Sequence, residues 1–238
     1  MKITILDTPE EVSQTASALI LRQLEINPDL LLCAATGNTP SGTYACLAEE
    51  YQRRPGRFAN LRILKLDEWG GLAMTDPGSC EYYLRNRLVD PLQITGLRYM
   101  GFHSNPEDAA GECRRIQAEL SASGPIDCCV LGLGVNGHIG FNEPAAFLEP
   151  GCHVARLAST TLQHTMVDAM ESRPSYGLTL GMADILQARM ILLLISGTAK
   201  KEITREWLSR RVTPELPASF LWLHGNVCCL LDKAAANP

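Results

Sequence analysis

Seven short runs of apolar residues, at 3–6, 30–35, 61–66, 97–102, 126–132, 190–195 and 227–231, punctuate the chain. Most are nearly continuous in apolar residues rather than alternating, the pattern of strands covered on both faces. Between them the hydrophobic positions recur at helical spacing. One helix is expected to open at Thr8-Pro9-Glu10-Glu11, where a capping hydroxyl, a first-turn proline and two acids at the positive dipole end follow one another. Others are expected over 41–51, 79–89, 105 to about 121, and 198–210. This alternation predicts an α/β fold: a single domain over 1–238 with a mostly parallel sheet and helices on both faces, a Rossmann-like three-layer sandwich. Residues 147–174 carry little periodicity and are expected to form a mobile flap over a site.

Composition narrows the function classes. The 238 residues suffice for a substantial core. A formal net charge of −5 argues against a nucleic-acid partner, which would be held by clustered Lys and Arg. No apolar run could cross a bilayer, and the first residues lack the basic region and apolar core of a secretory signal. A cytoplasmic location without a membrane partner is therefore expected. Nine cysteines lacking CxxC spacing form neither a disulfide framework nor a zinc site, and several sit in apolar runs as small buried hydrophobes.

Candidate chemistry collects where strands end, the place ligands occupy in open α/β sheets. Thr36, Gly37, Asn38 and Thr39 lie between a strand and a helix, where small residues and free N–H groups suit an anion; an ordinary capped turn is the alternative. Asp67 and Glu68 follow the next strand and could supply a general base, or could be helix-capping or solvated acids. The segment GLGVNGHIGFNEP, over 132–144, holds four glycines and His138, an imidazole suited to proton transfer near neutrality. Glu143, five residues on, could orient that ring. The spacing matches no metal motif. Lys200 falls in the first turn of a helix, a position the dipole disfavours unless an anion sits there too.

Taken in order, TGNTPSGTY, LDEWGGL, GLGVNGHIGFNEP, LTLGMADIL, SGTAK and PASFLWLHGNV resemble the glucosamine-6-phosphate deaminase/isomerase family over nearly the whole chain. NGH in place of the more usual DGH, and the PASFLWLH tail, resemble its galactosamine-6-phosphate branch. The resemblance implies an enzyme that opens a phosphorylated amino sugar, isomerises it from aldose to ketose and releases ammonia. By position, Asp67 would move a proton between C2 and C1, and His138 would assist ring opening with Glu143 tuning it. Thr36, Gly37, Asn38, Thr39 and Lys200 would bind substrate, chiefly its phosphate, together with Glu68 and Gly137. No metal or organic cofactor is implied, and a homo-oligomer is compatible with the pattern.

Two departures stand out. The family's common Asp two positions before the histidine is Asn136, which would leave Glu143 as the only nearby carboxylate in the catalytic group. The flap arginine has no counterpart at its aligned position, Val167; Arg173 is the nearest candidate. The related 6-phosphogluconolactonases, which hydrolyse a lactone, share a GHxxx loop and are the main competing reading. A non-catalytic sugar-phosphate sensor is disfavoured by the retained Asp67, His138 and Glu143.

Overall fold

A computed structural model describes residues 1–163 and 166–236. Among these residues ten strands follow the chain: β1 Lys2–Leu6, β2 Leu31–Ala34, β3 Arg62–Lys65, β4 Asp67–Gly70, β5 Tyr99–Met100, β6 Cys128–Gly132, β7 His153–Ala155, β8 Tyr176–Thr179, β9 Ile191–Ile195 and β10 Val227–Asp232. The helices are α1 Pro9–Ile26, α2 Asn38–Arg53, α3 Cys80–Leu84, α4 Ala109–Ser123, α5 Met182–Leu186, α6 Lys201–Leu208 and α7 Lys233–Ala236. Seven strands form one wholly parallel sheet in the order β1-β10-β9-β6-β2-β3-β5.

Strand periodicity explains why the apolar runs are unbroken. Leu31, Cys33 and Ala35 enter the core on one face of the sheet, while Leu30, Leu32 and Ala34 enter the core on the other. The same division separates Ile191, Leu193 and Ile195 from Met190, Leu192 and Leu194. Both faces are buried, so neither set can be polar. Helix α1 covers one face with Val12, Ala16, Ile20 and Leu24, a strict four-residue spacing. Its Thr8 side chain accepts from the Glu11 N–H at 3.2 Å, as the opening motif predicts.

Several elements differ from the sequence reading. The 97–102 run contributes only Tyr99–Met100, a short edge strand beside a fully exposed Leu97. The 79–89 helix is five α-helical residues followed by a π turn over Arg85–Val89. A second sheet was not foreseen: β4, β8 and β7 pair antiparallel in that order. Its strands are three or four residues long, too short to show a period. The 147–174 segment, expected as irregular, supplies β7 to that sheet; residues 164 and 165 within it lie outside the described residues.

The strand order places the chemistry. After β2 the chain runs outward through β3 to β5, then crosses back to β6 on the other side of β2. The loops after β2 and β6 therefore leave the sheet side by side at a topological switch point, where a crevice opens at the carboxyl ends. The loop after β9 and the residue after β3 flank that crevice.

Candidate active site

A cavity of about 140 Å³ occupies this crevice. Thr36, Gly37, Asn38 and Thr39 line it from β2, Asp67 and Trp69 from the β3–β4 junction, 132–135 and His138 from β6, and Lys200 from β9. Four segments far apart in sequence thus meet around one space.

One end combines features that suit an anion. Gly37, at φ 106°, turns the chain from β2 into α2 in a conformation that a side chain would strain. Its carbonyl is held by Tyr83 Oη at 2.6 Å and Ser41 Oγ at 3.0 Å. No side chain among the described residues caps the start of α2, so its first N–H groups and its positive dipole end face the cavity. Lys200 reaches the same space. Burial holds its ammonium below the ordinary lysine range, and among the described residues no carboxylate pairs with it. A desolvated, unneutralised cation beside an uncapped helix start is costly by itself and favourable around a phosphate.

Asp67 is the buried acid of the site, 7% exposed. Burial, reinforced by the negative charge of Glu68, pushes its carboxyl up to about 7; the Lys65 ammonium and a 3.9 Å contact from the Cys80 thiol act in the opposite direction. A carboxylate that gains its proton near neutrality is a far stronger base than a solvated one.

His138 is held by a local turn. Gly134 N–H donates to the His138 carbonyl and Gly137 N–H to the Gly134 carbonyl, both at 3.0 Å. The imidazole lies so close over Gly134 that a Cβ there would stand 2.5 Å from its ring atoms. Behind the ring, Nδ1 is 2.7 Å from Asn136 Oδ1, 3.3 Å from Thr161 Oγ1 and 3.4 Å from Glu143 Oε2. Asn136 Nδ2 donates to Glu143 Oε2 at 2.9 Å. Glu143 only accepts when ionised, which fixes the amide orientation: its nitrogen faces Glu143 and its oxygen faces the ring. Nδ1 is then the protonated nitrogen of the neutral ring, and Nε2 carries the free lone pair. Burial raises Glu143, but hydrogen bonding and charge from His138, with Thr161 and Asn136, outweigh it and hold the carboxyl at about 2. Asn136 is therefore a bridge through which the carboxylate reaches the ring.

Two residues expected at the substrate do not line the cavity. Glu68 is completely buried beneath it, and both its oxygens are occupied: Oε1 by the N–H groups of Trp69 and Cys80, Oε2 by Lys65 Nζ and the Glu81 N–H. It closes the β3–β4 turn onto α3 and has no capacity left for a ligand. Gly137, at φ 85°, backs onto Leu216, and its carbonyl accepts from the Ala218 N–H at 2.9 Å. Arg173 is exposed and outside the cavity lining, and Val167 is buried in the small core around Trp69. Thr160, Thr161 and Met166 do line the cavity, so the 147–174 segment reaches the site. Nothing in the sequence singled out Thr161, Lys65 or Glu81, each of which has a partner well separated along the chain: His138, Glu81 and Tyr99 respectively.

The chain belongs to the family of glucosamine-6-phosphate isomerases and 6-phosphogluconolactonases, whose model matches residues 7–229. It is 40% identical over 221 residues to a provisionally named deaminase, AgaI, of Escherichia coli (strain K12), covering 93% of this chain and 88% of that protein. It is 37% identical to glucosamine-6-phosphate deaminase 1 of Bacillus subtilis (strain 168), over 100% of this chain and 99% of the other. The solved structure of a monomeric glucosamine-6-phosphate deaminase superposes with a TM-score of 0.93 at 37% identity, covering 99% and 98% of the two chains. A 6-phosphogluconolactonase from Trypanosoma cruzi, 22% identical with a TM-score of 0.82 over 99% and 95% of the chains, shares the fold. No helix among the described residues is long and apolar enough to cross a membrane.

Proposed function

We propose that this protein is a hexosamine-6-phosphate deaminase/isomerase, converting galactosamine- or glucosamine-6-phosphate and water into the ketohexose 6-phosphate and ammonia. The observation that carries this reading is the convergence on one cavity of a raised carboxyl, Asp67, an oriented imidazole, His138, and a half-buried lysine, Lys200, beside an uncapped helix start. The phosphate binds between the start of α2 and Lys200, and this remote binding positions the sugar for reaction. His138 Nε2 takes the proton of the C1 hydroxyl and returns it to the ring oxygen as the ring opens. The imidazolium formed in between is stabilised by Glu143, partly through Asn136. Asp67 removes the C2 proton from the open aldose and delivers it to C1, while the C1 oxygen gains a proton and the C2 nitrogen gives one up, so that the double bond moves and C2 becomes an imine. Water then adds at C2 and ammonia leaves. The protein acts in amino-sugar breakdown, in the cytoplasm.

Ammonia release from both hexosamine phosphates is the test, with the ketose phosphate measured in parallel. Release of both products in equal amounts supports the reading, and none from either substrate refutes it. Hydrolysis of 6-phosphogluconolactone in that event would establish the lactonase alternative.

A further inference from the structure

Beneath Asp67 lies a second cluster of charges that the reaction does not use. The fully buried Lys65 donates through Nζ to Glu68 Oε2 at 2.6 Å and to Glu81 Oε2 at 2.7 Å. Glu81 also accepts from Tyr99 Oη at 2.6 Å and from Arg85 Nε at 2.8 Å, and Arg85 lies 4.7 Å from the centroid of the Tyr99 ring. Taking several ions out of water is seldom a net gain over apolar packing of the same volume. The placement of this cluster supplies a reason for it. Lys65 ends β3 two residues before the base, Glu68 follows the base in β4, and Glu81 lies in the first turn of α3. That helix begins with Cys80, whose thiol contacts Asp67.

The members differ in what their removal would undo. Glu68 holds three backbone N–H groups, so its loss would unmake the turn. Glu81 holds only side chains, and it extends the cluster outward to the half-exposed Arg85. Burial raises Glu81, but Lys65, Tyr99 and Arg85 outweigh it and keep the carboxyl below its ordinary range, ionised.

We propose that Glu81 is a positioning residue for Asp67: by sharing the Lys65 ammonium with Glu68, it sets how much positive charge reaches the base. The proposal rests on the reading of Asp67 as the base. Around Asp67 the titratable groups are Lys65 and Glu68 from β3 and β4, Cys80 from α3, Cys33 from β2, Tyr44 from α2, and His138 and Lys200 on the shared cavity. Around Glu81 they are Lys65, Arg85, Tyr99 and, across the shared lysine, Glu68. With Glu81 neutral, Lys65 is opposed by one carboxylate instead of two, and the ionised form of Asp67 is favoured.

The test follows the Asp67 carboxyl by ¹³C NMR titration, assigned by the signal lost in Asp67→Asn, alongside the acid limb of kcat/KM. Glu81→Gln keeps the size and an acceptor oxygen; it should move the titration down by about half to one pH unit, a three- to tenfold change in ionisation constant. Glu81→Asp keeps the charge and should leave it near its original position. Arg85→Gln, at a half-exposed position, removes a positive charge and should move it the opposite way. An Asp67 titration unmoved by both Glu81→Gln and Arg85→Gln overturns the proposal, as does an equal shift in the Glu81→Gln and Glu81→Asp proteins. A titration that shifts while the acid limb stays fixed leaves the charge coupling between Glu81 and Asp67 in place but overturns both the reading of Asp67 as the base and, with it, the role of Glu81 in catalysis.

Discussion

Replacing Asp67 by Asn should damage catalysis and relieve the fold, and the second effect has a definite pH signature. In the folded protein the carboxyl ionises at about 7, because it is buried beside Glu68; in the unfolded chain it ionises at ~3.9. Between these values the unfolded chain has given up the proton while the folded protein keeps it. The folded state then binds more protons, so stability falls as pH rises from about 4 to about 7 and levels off above that. At about 1.36 kcal/mol per tenfold in acidity, the cost at the plateau is on the order of 4 kcal/mol. An amide does not ionise and carries no such cost. Its altered hydrogen bonding against Cys80 adds an offset, but one without pH dependence. Urea unfolding of both proteins between about pH 4.5 and 8.5 isolates the effect in the difference between them. That difference should grow in favour of Asn by roughly 3–4 kcal/mol across the range, while kcat falls by about 10²–10⁴. A stability difference that is flat with pH would refute the raised carboxyl, whatever happens to activity.

Gly134→Ala places a Cβ 2.5 Å from the imidazole, so the ring must move; kcat should drop about 10²-fold, the usual scale for a misplacement of roughly 1 Å, with little change in phosphate affinity. Full activity would show that the observed ring position is not the working one. On the proposed phosphate site, Lys200→Met removes a charge-assisted contact worth about 1.5–3 kcal/mol, or roughly 10- to 100-fold in kcat/KM. Competition by inorganic phosphate should weaken in parallel, and equal inhibition of both proteins would place the phosphate elsewhere. Glu143 is held at about 2, below its unfolded value, so it stabilises the fold above about pH 4 and the benefit is lost as pH falls towards about 2. Glu143→Gln should therefore destabilise at about pH 6, with the deficit shrinking on acidification. A deficit that persists unchanged at about pH 2.5 would exclude the charge as its source.

The sequence by itself determined the central strands of the parallel sheet and most of the long helices, because burial on both faces keeps β2, Cys128 to Leu131 of β6, and β9 apolar throughout. It also marked the four loops, since glycines at φ 106° and 85°, a histidine among them and a lysine at a helix start are local features. It could not reveal the second sheet, whose short strands are specified by their partners: β4 exists because Asp67 to Gly70 pair with Thr179 to Tyr176. Nor could it assign Glu68. Adjacent acids look alike in a sequence, yet strand alternation sends Asp67 to the cavity and Glu68 into the interior, onto a lysine and three backbone N–H groups. Asn136 was legible as an oddity and only the fold gave it a task, because bridging Glu143 to His138 depends on distances of 2.9 and 2.7 Å that no spacing encodes. Side-chain type is written locally, but what each side chain faces is decided by the strand order that brings β9, β6, β2 and β3 together.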